Sequence, residues 1–298
     1  MVVVGAGVTG MTCAVRLAED GHQVEVLARD LPLETTSVVA AALWYPYLAL
    51  PQDRVTVWAG ESYAAFAALA GGDAGVRMVT GTEALNEPTE DPWWATAVPE
   101  LRRVPPPSGY AGAWSFTSPV IDMPVYLQWL RDRLDELGGT LTRMSMSSLP
   151  QTDDVVVNCA GLGARRLARD EDVRPVRGQV VVVNGVDLDQ WWLDATGPTY
   201  VVPRERTVVV GGTDEAGDWS RTPSPETATE ILRRATRLVP ELADATVVGH
   251  RVGLRPVRPS VRLEAEGRVI HCYGHGGAGV TLSWGCANEV RQLAAQLS

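Results

Sequence analysis

The stretch MVVVGAGVTGMTCAVRLAEDGHQVEVLARD, residues 1–30, constrains the fold more than any other segment. Val2–Val4 is a short apolar run that reads as a buried strand. Gly5, Gly7 and Gly10 follow it as GxGxxG, with Ala6 between the first two. Val8–Asp20 carries helical periodicity and stops at Gly21, and Gln23–Ala28 alternates as a second strand. Strand, glycine turn, helix and strand in this order predict half of a dinucleotide-binding fold. Each glycine has its own reason: Gly5 for the tight turn, Gly7 for close approach of a pyrophosphate, Gly10 for packing helix on strand. The positive end of the helix then faces the phosphates.

The second strand of such a fold usually ends in an acid that binds the adenosine ribose. Here the position is Ala28, followed by Arg29 and Asp30. Asp30 suits a ribose hydroxyl. Arg29 suits adenine, a phosphate, or the extra phosphate of NADP. The local reading therefore leaves FAD and NAD(P) both open. Beyond it, Thr35, Thr36 and Ser37 form a cluster of capping residues whose hydroxyls and amides also suit phosphate. Ala40–Ala42 are small enough for backbone to pass near a flat ring. Of Trp44, Tyr45 and Tyr47, Trp44 is expected in the core and the tyrosines nearer a ligand.

The chain is long enough for two domains, with 298 residues and a net charge of −10. That charge disfavours nucleic acid and anionic membranes as partners. No apolar run reaches membrane-spanning length, so a soluble, cytoplasmic protein is expected. All 26 basic residues are arginine. The absence of lysine excludes Schiff-base cofactors and lysine-containing phosphate loops. Cys13, Cys159, Cys272 and Cys286 make no CxxC pair and no zinc spacing, so buried free thiols and no metal are expected.

The middle of the chain has a different character. Asp53–Leu69 and Pro225–Leu238 read as helices, and Pro124 opens another with Leu127, Leu130, Leu134 and Leu137 in one stripe. Val76–Leu85, Thr140–Met146, Asp154–Asn158, Arg177–Asn184 and Thr246–Val257 read as strands. Tyr200–Pro203 and Thr207–Gly212 pair around Arg204 and Arg206, which are expected in solvent. Residues 91–107, rich in Pro and Trp, read as irregular surface. The dinucleotide fold begins, leaves for a mostly antiparallel region, and returns.

Its return carries a second glycine loop. RVIHCYGHGGAGVTLSWGCANEVRQLAAQL, residues 268–297, reads as strand, glycine loop and helix. Gly274–Gly279 offers backbone donors and a helix N-terminus to a second part of the ligand. His271 and His275 read as hydrogen-bonded imidazoles rather than metal ligands. Just upstream, Arg255 and Arg258 are three apart on a strand and so point to opposite faces. An arginine fixed there suits a ligand carboxylate or an internal acid, and the stretch alone does not choose.

These segments together resemble the D-amino-acid oxidase family. The resemblance runs through VVVGAGVTG, ARDLP, TTSVVAAALWYPY, VVNCAG, RGQ, TYVVP, GGT, GLRPVRPSVRLE and VIHCYGHGGAGVTLSWGCA. It implies a combined α/β and α+β fold: a glutathione-reductase-type FAD-binding Rossmann domain interrupted by a mainly antiparallel substrate-binding domain. The expected boundaries put residues 1–60, 141–174 and 261–298 in the FAD domain, and 61–140 and 175–260 in the other. The implied activity is oxidative deamination of neutral D-amino acids by hydride transfer from the α-carbon to flavin N5. Its products are a 2-oxo acid, ammonia and hydrogen peroxide. The partners are a D-amino acid and molecular oxygen, and a homodimer stays open. D-aspartate oxidase, a glycine/sarcosine-type amine oxidase and a non-catalytic flavin-binding protein are the alternatives.

The resemblance also assigns residues. Arg255 and Tyr200 would hold the substrate carboxylate, and the Gly277 carbonyl the amine. Tyr45, Tyr47 and Thr196 would line the substrate pocket. FAD contacts would fall on Gly5, Ala6, Gly7, Gly10, Arg29, Asp30, Thr35, Thr36, Ser37, Ala42, Leu43, Met144, Ala160, Arg255, Gly276, Gly277, Gly279, Val280 and Thr281. Three departures stand out. Thr196 occupies the place of a lid tyrosine, so Trp191 or Trp192 is expected to cover the pocket instead. Tyr47, where aspartate-specific relatives carry histidine, points to neutral substrates. Cys272 stands where Asn or His is usual, with no role assigned.

Overall fold

The computed structural model describes residues 1–46, 48–195 and 197–297. In chain order the elements are β1 (Val2–Val4), α1 (Val8–Glu19), β2 (Glu25–Ala28), α2 (Gln52–Leu69), β3 (Val76–Leu85), β4 (Arg102–Arg103), β5 (Gly112–Ile121), α3 (Met123–Glu136), β6 (Thr140–Arg143) and β7 (Val156–Asn158). After these come α4 (Ala164–Leu167), β8 (Arg174–Asn184), β9 (Trp191–Asp194), β10 (Thr199–Pro203), β11 (Val208–Gly211), β12 (Glu215–Ala216), α5 (Pro225–Leu238), β13 (Thr246–Glu266), β14 (Val269–His275) and α6 (Gly279–Leu297).

Among the described residues all fourteen strands belong to one sheet, ordered β4-β5-β3-β9-β10-β11-β8-β13-β14-β7-β1-β2-β6, with β12 paired to β8. One end, β14-β7-β1-β2-β6, is wholly parallel. Its central strands β1 (VVV) and β7 (VVN) are buried along their whole length, as cover on both faces requires, while the edge strand β6 (TLTR) is exposed at both ends. The other end is antiparallel except where β3 meets β9. The hinge between them is β13, a strand of 21 residues. Its first half pairs with β8 as far as Val257↔Arg174, and its second half pairs with β14 from Arg262↔Tyr273. The register shift falls across Pro259, which has no N–H to give to a ladder. Residues 60 and 260 lie inside α2 and β13, so the two expected units share continuous elements.

Helices α1, α3 and α6 cover the parallel end. Met11, Cys13, Val15 and Leu17 of α1 are fully buried, as are Leu127, Leu130 and Leu134 of α3. Gly10 shows why the turn sequence is glycine-rich, since a Cβ there would lie 2.0 Å from the Gly5 carbonyl oxygen. Helix and strand approach to backbone contact, which only glycine allows.

Three expectations change. Residues 91–107 are not all surface: Trp94 is buried against Trp44, Tyr45 and Phe116. The 140–146 strand ends at Arg143, leaving Met144 beside the ligand cavity. Arg204 is not in solvent. It folds back from the hairpin, Nη2 donates to the Ala40 carbonyl at 2.7 Å, and the side chain is 6% exposed. Burial lowers its pKa, while Asp122 opposes that fall from 3.8 Å. Arg206 is exposed as expected. No helix among the described residues is long and apolar enough to cross a membrane.

Candidate active site

The two glycine loops and the middle of β13 converge on one cavity of about 750 Å³. Its walls include Gly5, Ala6 and Gly7 from the first turn, and Arg29 and Asp30 after β2. They also include Thr35, Thr36, Ser37, Ala42 and Leu43 from the next segment, and Met144 and Ala160. Gly276, Gly277, Gly279, Val280 and Thr281 line it from the second loop, and Tyr45, Tyr200 and Arg255 from the far side. Of the residues assigned from sequence, Gly10 lies behind the wall, packed on Gly5. Tyr47 and Thr196 lie outside the described residues.

The details refine several roles. The Ser37 hydroxyl accepts from the Val8 amide at 2.9 Å, so it occupies part of the α1 N-terminus itself. The Thr36 hydroxyl donates to the Leu254 carbonyl, tying this segment to β13. Arg29 and Asp30 bind each other through two hydrogen bonds, of 3.0 and 2.6 Å. The Arg29 guanidinium holds the Asp30 carboxyl below its usual range, so the acid at the cavity edge is ionised. Thr281 is buried, and its hydroxyl bridges the Tyr45 amide and carbonyl, joining the second loop to the 40–46 segment. Neither Trp191 nor Trp192 lines the cavity. Trp191 is fully buried within the sheet, its Nε1 donating to the Val79 carbonyl at 2.9 Å. Trp192 packs on the α5 side. Leu193, Asp194, Gly197 and Pro198 line the cavity instead.

The Arg255 end of the cavity is built on clearances that sequence reading missed. The Arg255 guanidinium lies flat on Gly178, where a Cβ would come within 2.6 Å of it. The Tyr200 ring lies across Gly211, where a Cβ would come within 2.0 Å. The RGQ and GGT segments thus owe their glycines to the two side chains resting on them. Arg255 Nη1 donates to the Thr213 carbonyl at 2.7 Å and to Asp214 Oδ1. These bonds fix the head of the arginine, and nothing local in the sequence marks Thr213 or Asp214. Burial raises the Tyr200 hydroxyl pKa, with the facing Arg255 charge opposing, so the group stays a protonated donor at neutral pH. Arg258 points the other way and pairs with Asp170 at 2.9 Å.

Glu83 is the second unforeseen group. It lies on β3, 6% exposed, lines the cavity, and accepts from the Tyr45 hydroxyl at 2.7 Å. Burial pushes its carboxyl pKa up, only partly offset by the tyrosine. A carboxyl raised in the folded state contributes stability that is full below its unfolded pKa and is lost as pH rises through the folded value. Glu83→Gln should therefore leave Tm unchanged near pH 4 and raise it at pH 8 by about 2 °C or more, on the order of 1 kcal/mol for a chain this size. Thermal melts across that window check the sign. An equal effect at both ends would contradict it.

Fold and cavity together define a dinucleotide-binding protein whose cavity carries an arginine and a tyrosine, Arg255 and Tyr200, at its far side. The chain belongs to the FAD-dependent oxidoreductase family, whose model matches residues 1–293. It is 48% identical to a D-amino-acid oxidase of Rubrobacter xylanophilus over 309 aligned residues, covering 98% of this chain and 95% of that one. It is 46% identical to a D-amino-acid oxidase of Streptomyces coelicolor, covering 99% and 96%. A human D-aspartate oxidase is 38% identical, covering 99% and 94%. In fold, the chain is similar to glycine oxidase from Bacillus cereus at a TM-score of 0.85, with 21% identity over 100% of this chain and 95% of that one. The cradle fits FAD on structural grounds: glycine backbone facing the cavity, a helix N-terminus behind it, and an ionised Asp30 at its edge.

Proposed function

We propose that this protein oxidatively deaminates D-amino acids, neutral ones foremost, to 2-oxo acids with release of ammonia and hydrogen peroxide. The carrying observation is that Arg255 and Tyr200 stand in the same cavity as both glycine loops. When bound, FAD supplies the hydride acceptor and the route of electrons to oxygen. Residues 5–7, 29–30, 35–37 and 276–281 would hold it. The parallel strands β1, β2, β6, β7 and β14 carry this cradle and the antiparallel strands the substrate side, which supports the division proposed from sequence.

The chain's own work is orientation. The charged fork of Arg255, fixed by Thr213 and Asp214, takes the substrate carboxylate, and the Tyr200 hydroxyl donates to the same group. The Gly277 carbonyl accepts from the amine. Two anchored ends leave one α-hydrogen facing the cofactor cradle, so handedness follows from binding. No side chain need take the α-hydrogen as a proton if the amine enters neutral. Holding the reacting groups in place is worth several kcal/mol of the barrier.

Peroxide release from D-alanine, D-aspartate, glycine and sarcosine tests this reading. D-alanine should be turned over at least about tenfold more efficiently than the others, a difference of roughly 1.4 kcal/mol. Preference for D-aspartate or glycine would replace it with the corresponding sister activity.

A further inference from the structure

The chain's four cysteines are far apart in sequence and meet at one place. Cys159 follows β7 and Cys272 lies on β14, which are adjacent parallel strands with Asn158 opposite His271. Cys159 and Cys272 are therefore neighbours across the ladder. Cys13 comes down from α1, whose strand β1 is the next neighbour of β7. Cys286 comes from α6, which follows β14. All four are buried, and all four are free thiols. The donor sulfurs of Cys13, Cys159 and Cys272 lie within 4.8 Å of one another. So do the donor atoms of Cys272, Cys286 and His275. Cys272 is common to both groups and is the residue that departs from the family pattern.

We propose that this cluster binds one thiophilic d10 cation, Zn2+ or Cu+. Cys13, Cys159 and Cys272 form the core donor set, and Cys286 or His275 supplies the fourth position. Thiolate and imidazole are the ligands such ions prefer over magnesium or calcium. A tetrahedral ion about 2.3 Å from each sulfur sets sulfur–sulfur edges of about 3.8 Å, so within the Cys13, Cys159 and Cys272 triad the donors need close by no more than about 1 Å. The ligands sit on neighbouring strands and the two helices over them, which are rigid elements suited to fixed geometry. Cys159, Cys272 and His275 also line the large cavity, which gives an ion a path to the donors before the dinucleotide cradle fills. Binding drives each thiol proton into solvent and replaces it with a metal–sulfur bond. Packing by small apolar thiols explains buried cysteines singly. It does not explain why every cysteine of the chain converges beside one of its four histidines. Sequence spacing gave no zinc pattern because the donors come from four separate elements.

The test uses the flavin-loaded protein, purified under reducing conditions and without a metal-affinity tag. Elemental analysis should find about one zinc or copper per chain, and which metal is present decides between the two ions. After chelation, Co2+ should restore visible d–d bands to the red of flavin absorption. Cys272→Asn and Cys13→Ser should each lower metal content at least tenfold while flavin content and melting temperature show that the protein has folded. Cys13 does not line the cavity, so its variant reads the metal alone. Three results overturn the proposal: no metal as purified and no uptake of Zn2+, Cu+ or Co2+; uptake unchanged in Cys13→Ser; or a cysteine pair oxidised to a disulfide under reducing conditions. These readouts do not depend on the substrate, so they fail or succeed separately from the proposed oxidase activity.

Discussion

Arg255→Ala should lower kcat/KM for the preferred D-amino acid by roughly 30- to 4,000-fold, the 2–5 kcal/mol that removal of one partner from a desolvated charge pair costs. Most of the loss should appear in KM, because in the proposed binding pose the arginine grips the substrate before reaction. Some should appear in kcat, because a carboxylate that slides also misplaces the α-hydrogen. Arg255→Lys should recover little, since an ammonium cannot reproduce the planar fork resting on Gly178. The variant should stay yellow, which separates loss of substrate binding from loss of fold. Near-parental kcat/KM in Arg255→Ala, measured by peroxide release, would remove the arginine from the site.

Gly10→Ala should weaken FAD binding by at least about 100-fold, and the protein should be isolated largely colourless. The added Cβ would lie 2.0 Å from the Gly5 carbonyl oxygen. Backbone cannot yield as a flexible side chain does, so either the turn or α1 must move, and overpacking of this kind costs about 1–3 kcal/mol in stability as well. Moving the turn displaces the amides that face the cavity. The control is Gly60→Ala in α2, where the nearest atom to a new Cβ is 3.9 Å away. There the extra methyl meets no obstacle, helix propensity gains up to about 1 kcal/mol, and flavin content should not change. The ratio of flavin to protein absorbance in the two variants checks both expectations.

The cofactor side of the molecule was legible in the sequence because its signals are local. GxGxxG sits between a strand and a helix, and each glycine has a steric reason that shows within ten residues. The second glycine loop is local in the same way. The substrate side was legible only in part. Opposite facing of Arg255 and Arg258 follows from strand alternation, and the structure shows it: one lines the cavity and the other binds Asp170. Which partner Arg255 takes depends on β12 and the 213–214 turn, whose position is set by pairing with β8 some 40 residues away. Arg204 escaped for the same reason. A hairpin tip predicts exposure, but this one folds onto the 40–43 segment. Trp191 failed as a lid because its ring lies across Gly81 of the neighbouring β3 and packs on Phe116 in the core, away from the cavity. The cysteine cluster is the extreme case: strand order and helix placement create it, and no spacing in the sequence encodes it.

The central claim is that Arg255, Tyr200 and the second glycine loop present a D-amino acid to a flavin held by the first. Anaerobic mixing of the yellow protein with D-alanine and, separately, with L-alanine tests it most directly. The account predicts that D-alanine bleaches the oxidised flavin band completely and that L-alanine leaves it intact. A protein without a flavin spectrum, a flavin that no D-amino acid bleaches, or equal bleaching by both enantiomers would contradict it.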